Sequence, residues 1–173
     1  MTKYSLEDRI KIYSKPLEDQ FVKVFQQGDA VVLRHLIRSD LTSDYFRVLD
    51  VAQALALEKH GHVYILPEIN AQEREFRKRL GLSTDNGKTP DIMLEIGSFI
   101  DVKSPMVERK LSKNAGKAFR QSAVVCITDH RMQMDMERVD QYQNRIFGNE
   151  NYKYSVLYFY INGILSKRTK EKP

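Results

Sequence analysis

Two acids and a lysine, Asp91, Asp101 and Lys103, punctuate the stretch TPDIMLEIGSFIDVKSP at residues 89–105, which otherwise has the composition of a buried β-hairpin. Lone charges are costly in such a setting unless something pairs with them. Successive side chains of a strand point to opposite faces, so Asp101 and Lys103 of IDVK share one face while Val102 points away. A metal-dependent phosphodiesterase needs that pairing. Carboxylate oxygens hold a hard cation such as Mg²⁺, and a nearby ammonium orients the attacking water or stabilises charge developing at phosphorus. Asp91, earlier in the same stretch, is the candidate for a second carboxylate. The plain alternative for Asp101 and Lys103 is a strand-surface salt bridge, because D-x-K taken alone is a common chance pattern.

Parity tests the assembly. With a two-residue loop at Gly97-Ser98, Leu94 faces Asp101, and Asp91 falls on the opposite face from Asp101 and Lys103. A three-residue loop over Gly97 to Phe99, or a bulge near Pro90, shifts the register and brings all three charges to one face. The chemistry therefore predicts an irregular hairpin. A third acid, Asp50, lies in YFRVLDVAQALAL, which is apolar nearly all round and is expected to be well buried, with Phe46, Gln53, Ala54 and Leu57 as helical neighbours of Asp50. Its alternatives are a side chain reaching solvent at the helix edge or a pair with Arg47. Glu68, in LPE, is a further candidate contact to metal or water, against a solvated strand-end carboxylate as the alternative; Glu95 reads as a surface residue.

The elements that must position these residues follow from local pattern. Residues 5–26 read as helix in two pieces broken at Pro16, and DAVVLRHLIRSD is open between strand and helix. SDYFRVLDVAQALALEKHG reads as a helix from the N-cap candidate Ser43 to the C-terminal signature Lys59, His60, Gly61. HVYILPE reads as a strand, and residues 72–88 as a loop or short helix. After the hairpin, residues 107–122 read as a helix and AVVCITD as a buried strand. DMERVDQYQNRIFGN reads as a second helix, and SVLYFYINGILSKR as a strand folding back at Asn162-Gly163. The fold class is α/β, with an N-terminal helical extension (1–42), a main domain (43–165) and a mobile basic tail (166–173).

T-P-D, a hairpin of fitting length, D-V-K and a preceding helix with an acid resemble the PD-(D/E)xK nuclease superfamily, whose restriction-endonuclease-like core is helix, three strands, helix, strand. Within it, the chain resembles the C-terminal tRNA nuclease domains of contact-dependent growth inhibition toxins. The resembling stretch runs from Asp50 to Gly163 and includes DVAQALALEKHGHVYILPEI, TPDI, IDVKSP, KAFRQSA and VVCITD. Position by position, the resemblance implies that Asp91 and Asp101 are metal ligands, Lys103 the catalytic lysine and Asp50 the helix acid. That helix position is more commonly glutamate, so the shorter Asp50 implies contact with the metal through water. Gln121, in FRQSAVV, matches a glutamine near this place in related sequences, with a helix-capping or backbone bond as its plain alternative. The resemblance implies Mg²⁺ or Mn²⁺ as cofactor, RNA of tRNA type over DNA as substrate, and a possible inhibitor or immunity protein as partner.

Composition is compatible with this reading. Among 173 residues, 28 Lys+Arg against 23 Asp+Glu give a formal charge of +5, which suits a polyanionic partner. Lys110, Lys113, Lys117 and Arg120 fall on one helical stripe, with Leu111, Ala115, Ala118 and Phe119 on the other side. The stripe is a candidate guide for a phosphate backbone, with a solvated face as the equal alternative. Arg74, Arg77, Lys78 and Arg79, and Lys167, Arg168, Lys170 and Lys172, are candidates to extend it. His60 and His62 have metal-ligand types, but their helix-end place favours a dipole contact. No Cys/His array, P-loop or G-x-S-x-G is present, which argues against zinc, nucleotide-hydrolysing and serine-hydrolase chemistry. The lone Cys126 excludes an internal disulfide, and no apolar run approaches a membrane span, so the sequence reads as a cytoplasmic protein. The expected function is a metal-dependent endonuclease of toxin or mobile-element type. The alternatives are a DNA endonuclease of the same fold, or a catalytically silent module that binds nucleic acid or protein.

Overall fold

Ser5 opens the first regular element: its hydroxyl accepts from the Asp8 N–H while the Asp8 carboxylate accepts from the Ser5 N–H, a reciprocal box that starts α1 (Leu6–Tyr13). The computed structural model describes residues 4–85, 87–106, 110–119, 124–151 and 154–170, and the chain divides into two compact units, Met1–Ser98 and Phe99–Pro173. In the first unit, Pro16 ends the helical start and a single 3-10 turn (Leu17–Gln20) leads into β1 (Phe21–Gln27). A second helix was expected here. The β-branched and aromatic alternation of Phe21-Val22-Lys23-Val24-Phe25 prevails instead, because it suits a half-buried pleated surface. Gly28, at φ 57°, turns the chain into β2 (Ala30–His35), so the AVVLRH part of DAVVLRHLIRSD is a strand and the rest a turn.

From β2 the chain crosses through α2 (Ser43–Lys59) to β3 (His62–Ile65), which pairs parallel to β2 with Val32 opposite Val63. Residues 1–42 therefore contribute a paired strand to the first unit, and the expected boundary at 42/43 falls inside it. The helix is capped by Thr42, whose hydroxyl accepts from the Tyr45 N–H, one residue before the expected Ser43. Its end carries His60 in the left-handed region at φ 51°. Val48, Val51, Ala52, Leu55 and Ala56 are buried, each large side chain contributing about 1.5–3 kcal/mol relative to exposure. Next come α3 (Arg74–Leu80) and β4 (Ile92–Glu95), antiparallel to β3.

β5 (Ser98–Lys103) starts at the last residue of the first unit and otherwise belongs to the second, which also carries α4 (Leu111–Phe119), β6 (Val125–Thr128), α5 (Met136–Phe147), β7 (Val156–Ile161) and β8 (Ile164–Thr169). β5, β6 and β7 pair in parallel, and β8 returns antiparallel through Asn162 and Gly163, at φ 51° and 76°. This is the two-residue turn that the Asn-Gly pair predicts. Ala115, Ala118, Val125, Ile127, Val139, Tyr142, Ile146, Leu157 and Phe159 close one core. Cys126 lies buried on β6, and burial pushes its thiol pKa up. The expected mobile tail is corrected in part: residues 166–169 are the end of β8, and the Lys170 ammonium donates to the Phe147 carbonyl at the end of α5. No described helix is long and apolar enough to cross a membrane.

Candidate active site

Parallel pairing with β6 places Asp101 opposite Val125 and Lys103 opposite Ile127, so both charges share the sheet face of those core residues. The Asp101 N–H donates to the Val124 carbonyl, which ties the residue into the ladder. Its carboxylate is 0% exposed and lies 2.5 Å from the Lys103 ammonium, whose side chain is 22% exposed. A pair with the acid inside and the ammonium reaching toward solvent is not the strand-surface bridge of the plain alternative. Burying a carboxylate on an apolar face carries a desolvation penalty, so a buried ion pair is by itself weak evidence of stabilisation.

Asp91 belongs to the first unit, where it precedes β4 and its backbone carbonyl accepts from the Leu66 N–H. Its side chain is 17% exposed, with Arg38 Nη2 at 3.7 Å; the same nitrogen lies 3.0 Å from Asp44. The turn after β4 falls at Ile96 and Gly97, with Gly97 at φ 83°, a two-residue turn in place of the expected three-residue loop over Gly97 to Phe99. Asp50 departs from expectation. Phe46 and Leu57, on its side of α2, are 55% and 39% exposed, and Asp50 itself is half-buried. The helix buries one stripe rather than its whole circumference, which leaves Asp50 on the wetter side. Arg47 donates to Asp44 at 2.7 Å.

The Glu68 side chain is exposed, as are Glu95, His60 and His62, and the Glu68 carbonyl accepts from Arg9. Lys110, Lys113 and Lys117 are exposed while Ala115 and Ala118 are buried, so the basic stripe faces outward as its spacing predicts. Arg120, Gln121 and Lys172 lie outside the described residues. Arg77 is corrected: expected on a basic surface with Arg74, Lys78 and Arg79, it is fully buried, and desolvation lowers its guanidinium pKa. Glu73, Phe76, Arg77 and Leu80 follow the i, i+3, i+4, i+7 spacing of a core-facing stripe, a signal present in the sequence.

Comparison with protein-family models, curated proteins and solved structures found no match.

The first unit also holds a buried polar cluster. Arg9 and Glu73 form a two-point pair at 2.7 Å with both side chains nearly buried, and Arg9 also donates to Tyr13 Oη and the Glu68 carbonyl. The hydrogen bond with Glu73 raises the Arg9 pKa, and burial raises that of Tyr13. His35 is buried among Tyr13, Phe21 and Phe76. Its Nδ1 accepts from the Ile37 N–H, so Nε2 carries the hydrogen donated to Gln20 Oε1. Burial, and then the charge of Arg9, lowers its pKa to about 3.

Among the described residues, no group of three or more His, Cys, Asp or Glu side chains is placed to hold a metal ion. Mg²⁺ commonly takes one or two carboxylates and completes its shell with water and substrate oxygens, so a lone carboxylate such as Asp91 or Asp101 has suitable chemistry for it.

Proposed function

We propose that the chain is a metal-dependent endonuclease hydrolysing phosphodiester bonds in nucleic acid, on a restriction-endonuclease-like core of α2, β3, β4, β5, α4 and β6. The observation that carries this reading is the wholly buried Asp101 carboxylate, held on an apolar sheet face against the partly exposed Lys103 ammonium. A buried ion pair is weak evidence for stability by itself, and a carboxylate beside an ammonium is a pairing that phosphodiester hydrolysis can use. On the resemblance, Asp91 and Asp101 are each proposed as a ligand of Mg²⁺ or Mn²⁺, and Asp50 as a contact through water, in keeping with its half-exposed place on α2.

When bound, the cation supplies charge neutralisation at the phosphate and lowers the pKa of bound water. The residues do the rest. Asp101 holds the Lys103 ammonium at the exposed end of the pair, where it orients an attacking water or donates to a non-bridging phosphate oxygen. Arg38 keeps Asp91 paired in the free protein. Lys110, Lys113 and Lys117 offer an outward basic row on the crossover from β5 to β6, suited to a phosphate backbone. A tRNA-like RNA as substrate, an immunity protein as partner and cytoplasmic action are proposed on the resemblance to toxin nuclease domains.

The test is Mg²⁺-dependent cleavage of total RNA and of plasmid DNA, each with an EDTA control. Cleavage of RNA that EDTA abolishes is the expected result. Cleavage confined to DNA would keep the mechanism and replace the substrate, and binding without cleavage of either would replace the enzyme by a binding module.

A further inference from the structure

Arg77 is fully buried, yet its hydrogen bonds go to backbone oxygens and one hydroxyl rather than to a carboxylate. Nε donates to the Ser83 carbonyl at 2.7 Å, one terminal nitrogen to the Ile69 carbonyl at 2.8 Å, and the other to the Lys88 carbonyl at 2.7 Å. Thr89 completes the clamp. Its hydroxyl accepts from the Ile69 N–H at 3.0 Å, donates to the Ile69 carbonyl at 3.2 Å, and lies 3.5 Å from Arg77. Glu73, the nearby acid on the same helical stripe, is engaged by Arg9.

Two of these partners, Lys88 and Thr89, lie three and two residues before Asp91, and the fork ties them to Ile69 and Ser83. The described part of residues 82–91 contains no helix or strand, so a ladder does not fix it. A guanidinium presents its donors in a rigid planar fork, and bonds from a charged donor are roughly twice as strong as neutral ones. One buried fork thus sets three backbone points at once, which a flexible ammonium cannot do. The Asp91 carbonyl is pinned separately by the Leu66 N–H at 2.9 Å.

We propose that Arg77, with Thr89, is a positioning residue that fixes where Asp91 presents its carboxylate to a divalent cation. The inference rests on the metal reading above and lies wholly within the first unit. Groups that orient a metal ligand from behind typically alter metal affinity about 10–100-fold when removed.

The test is Mn²⁺ titration of the full chain, followed by electron paramagnetic resonance, for wild type, Asp91→Asn, Arg77→Lys, Thr89→Val and Thr89→Ser. Each variant is also checked for a cooperative unfolding transition. Arg77→Lys and Thr89→Val should weaken Mn²⁺ binding by about tenfold or more, and Thr89→Ser, which keeps the hydroxyl, should bind near wild type. If Arg77→Lys does not fold, the Thr89 pair decides. Wild-type affinity in Thr89→Val, with clear weakening in Asp91→Asn, would overturn the positioning role and leave the metal reading standing. Wild-type affinity in Asp91→Asn would overturn both.

Discussion

Asp91 and Asp101 are the same residue type held by opposite means. Asp101 sits on a strand, its place set by the register of β5 against β6 and its surroundings apolar. Asp91 follows an irregular segment whose place is set by a buried guanidinium, a threonine hydroxyl and single backbone bonds. The strand spreads the cost of placing a charge over many weak contacts; the loop concentrates it in a few strong directional ones. The first should fail globally when its packing is cut, and the second locally when one polar group is removed.

The largest expected effect is on the strand side. Ile127 is opposite Lys103, is buried and belongs to the second unit's core, so Ile127→Ala should cost about 2–4 kcal/mol by lost transfer energy and the cavity left behind. Urea unfolding should report the loss as a lower midpoint with the same slope.

On the loop side the polar core should make stability sensitive to acid. Burial holds the folded pKa of His35 at about 3 against an ordinary value of 6.5, so the unfolded chain binds the proton first as pH falls. Its contribution to stability is intact above about pH 6.5 and is lost progressively from there toward about pH 3, at up to about 1.4 kcal/mol per pH unit. Denaturant midpoints for wild type and His35→Asn should converge on acidification through this window; parallel curves would contradict the assignment. The smallest effect concerns the outward lysines. Replacing Lys110, Lys113 and Lys117 together by Gln should leave the fold intact, weaken nucleic-acid binding and flatten its salt dependence by up to about three units of log–log slope.

The contrast also explains what could be read from the chain in advance. Elements with local signals were legible: α2 from its capping residues, β6 from its apolar run, the helix α5, and the Asn162-Gly163 turn between β7 and β8. The β1 strand was misread because Leu17-Glu18-Asp19-Gln20 continues a helical composition into it, although Gly28-Asp29 carried a hairpin signal. Asp101 and Lys103 were legible as a same-face pair, since strand alternation needs no tertiary information. The depth of Asp101 was not, because it depends on pairing with a distant strand. Asp50 was placed too deep, because an apolar composition all round a helix does not say which side finds a partner. Arg77 reads as a surface charge by its type, whereas its spacing with Glu73, Phe76 and Leu80 marks a core-facing position.

The account depends most on the separate tasks of Asp101 and Lys103, and paired Mn²⁺ titrations and RNA cleavage rates for wild type, Asp101→Asn and Lys103→Met separate them. Asp101→Asn should lose both metal affinity and cleavage. Lys103→Met should bind Mn²⁺ at near wild-type affinity while cleavage falls about 10²-fold or more. Full cleavage by Lys103→Met, or unchanged metal binding by Asp101→Asn, would contradict the account and return the pair to a buried structural bond.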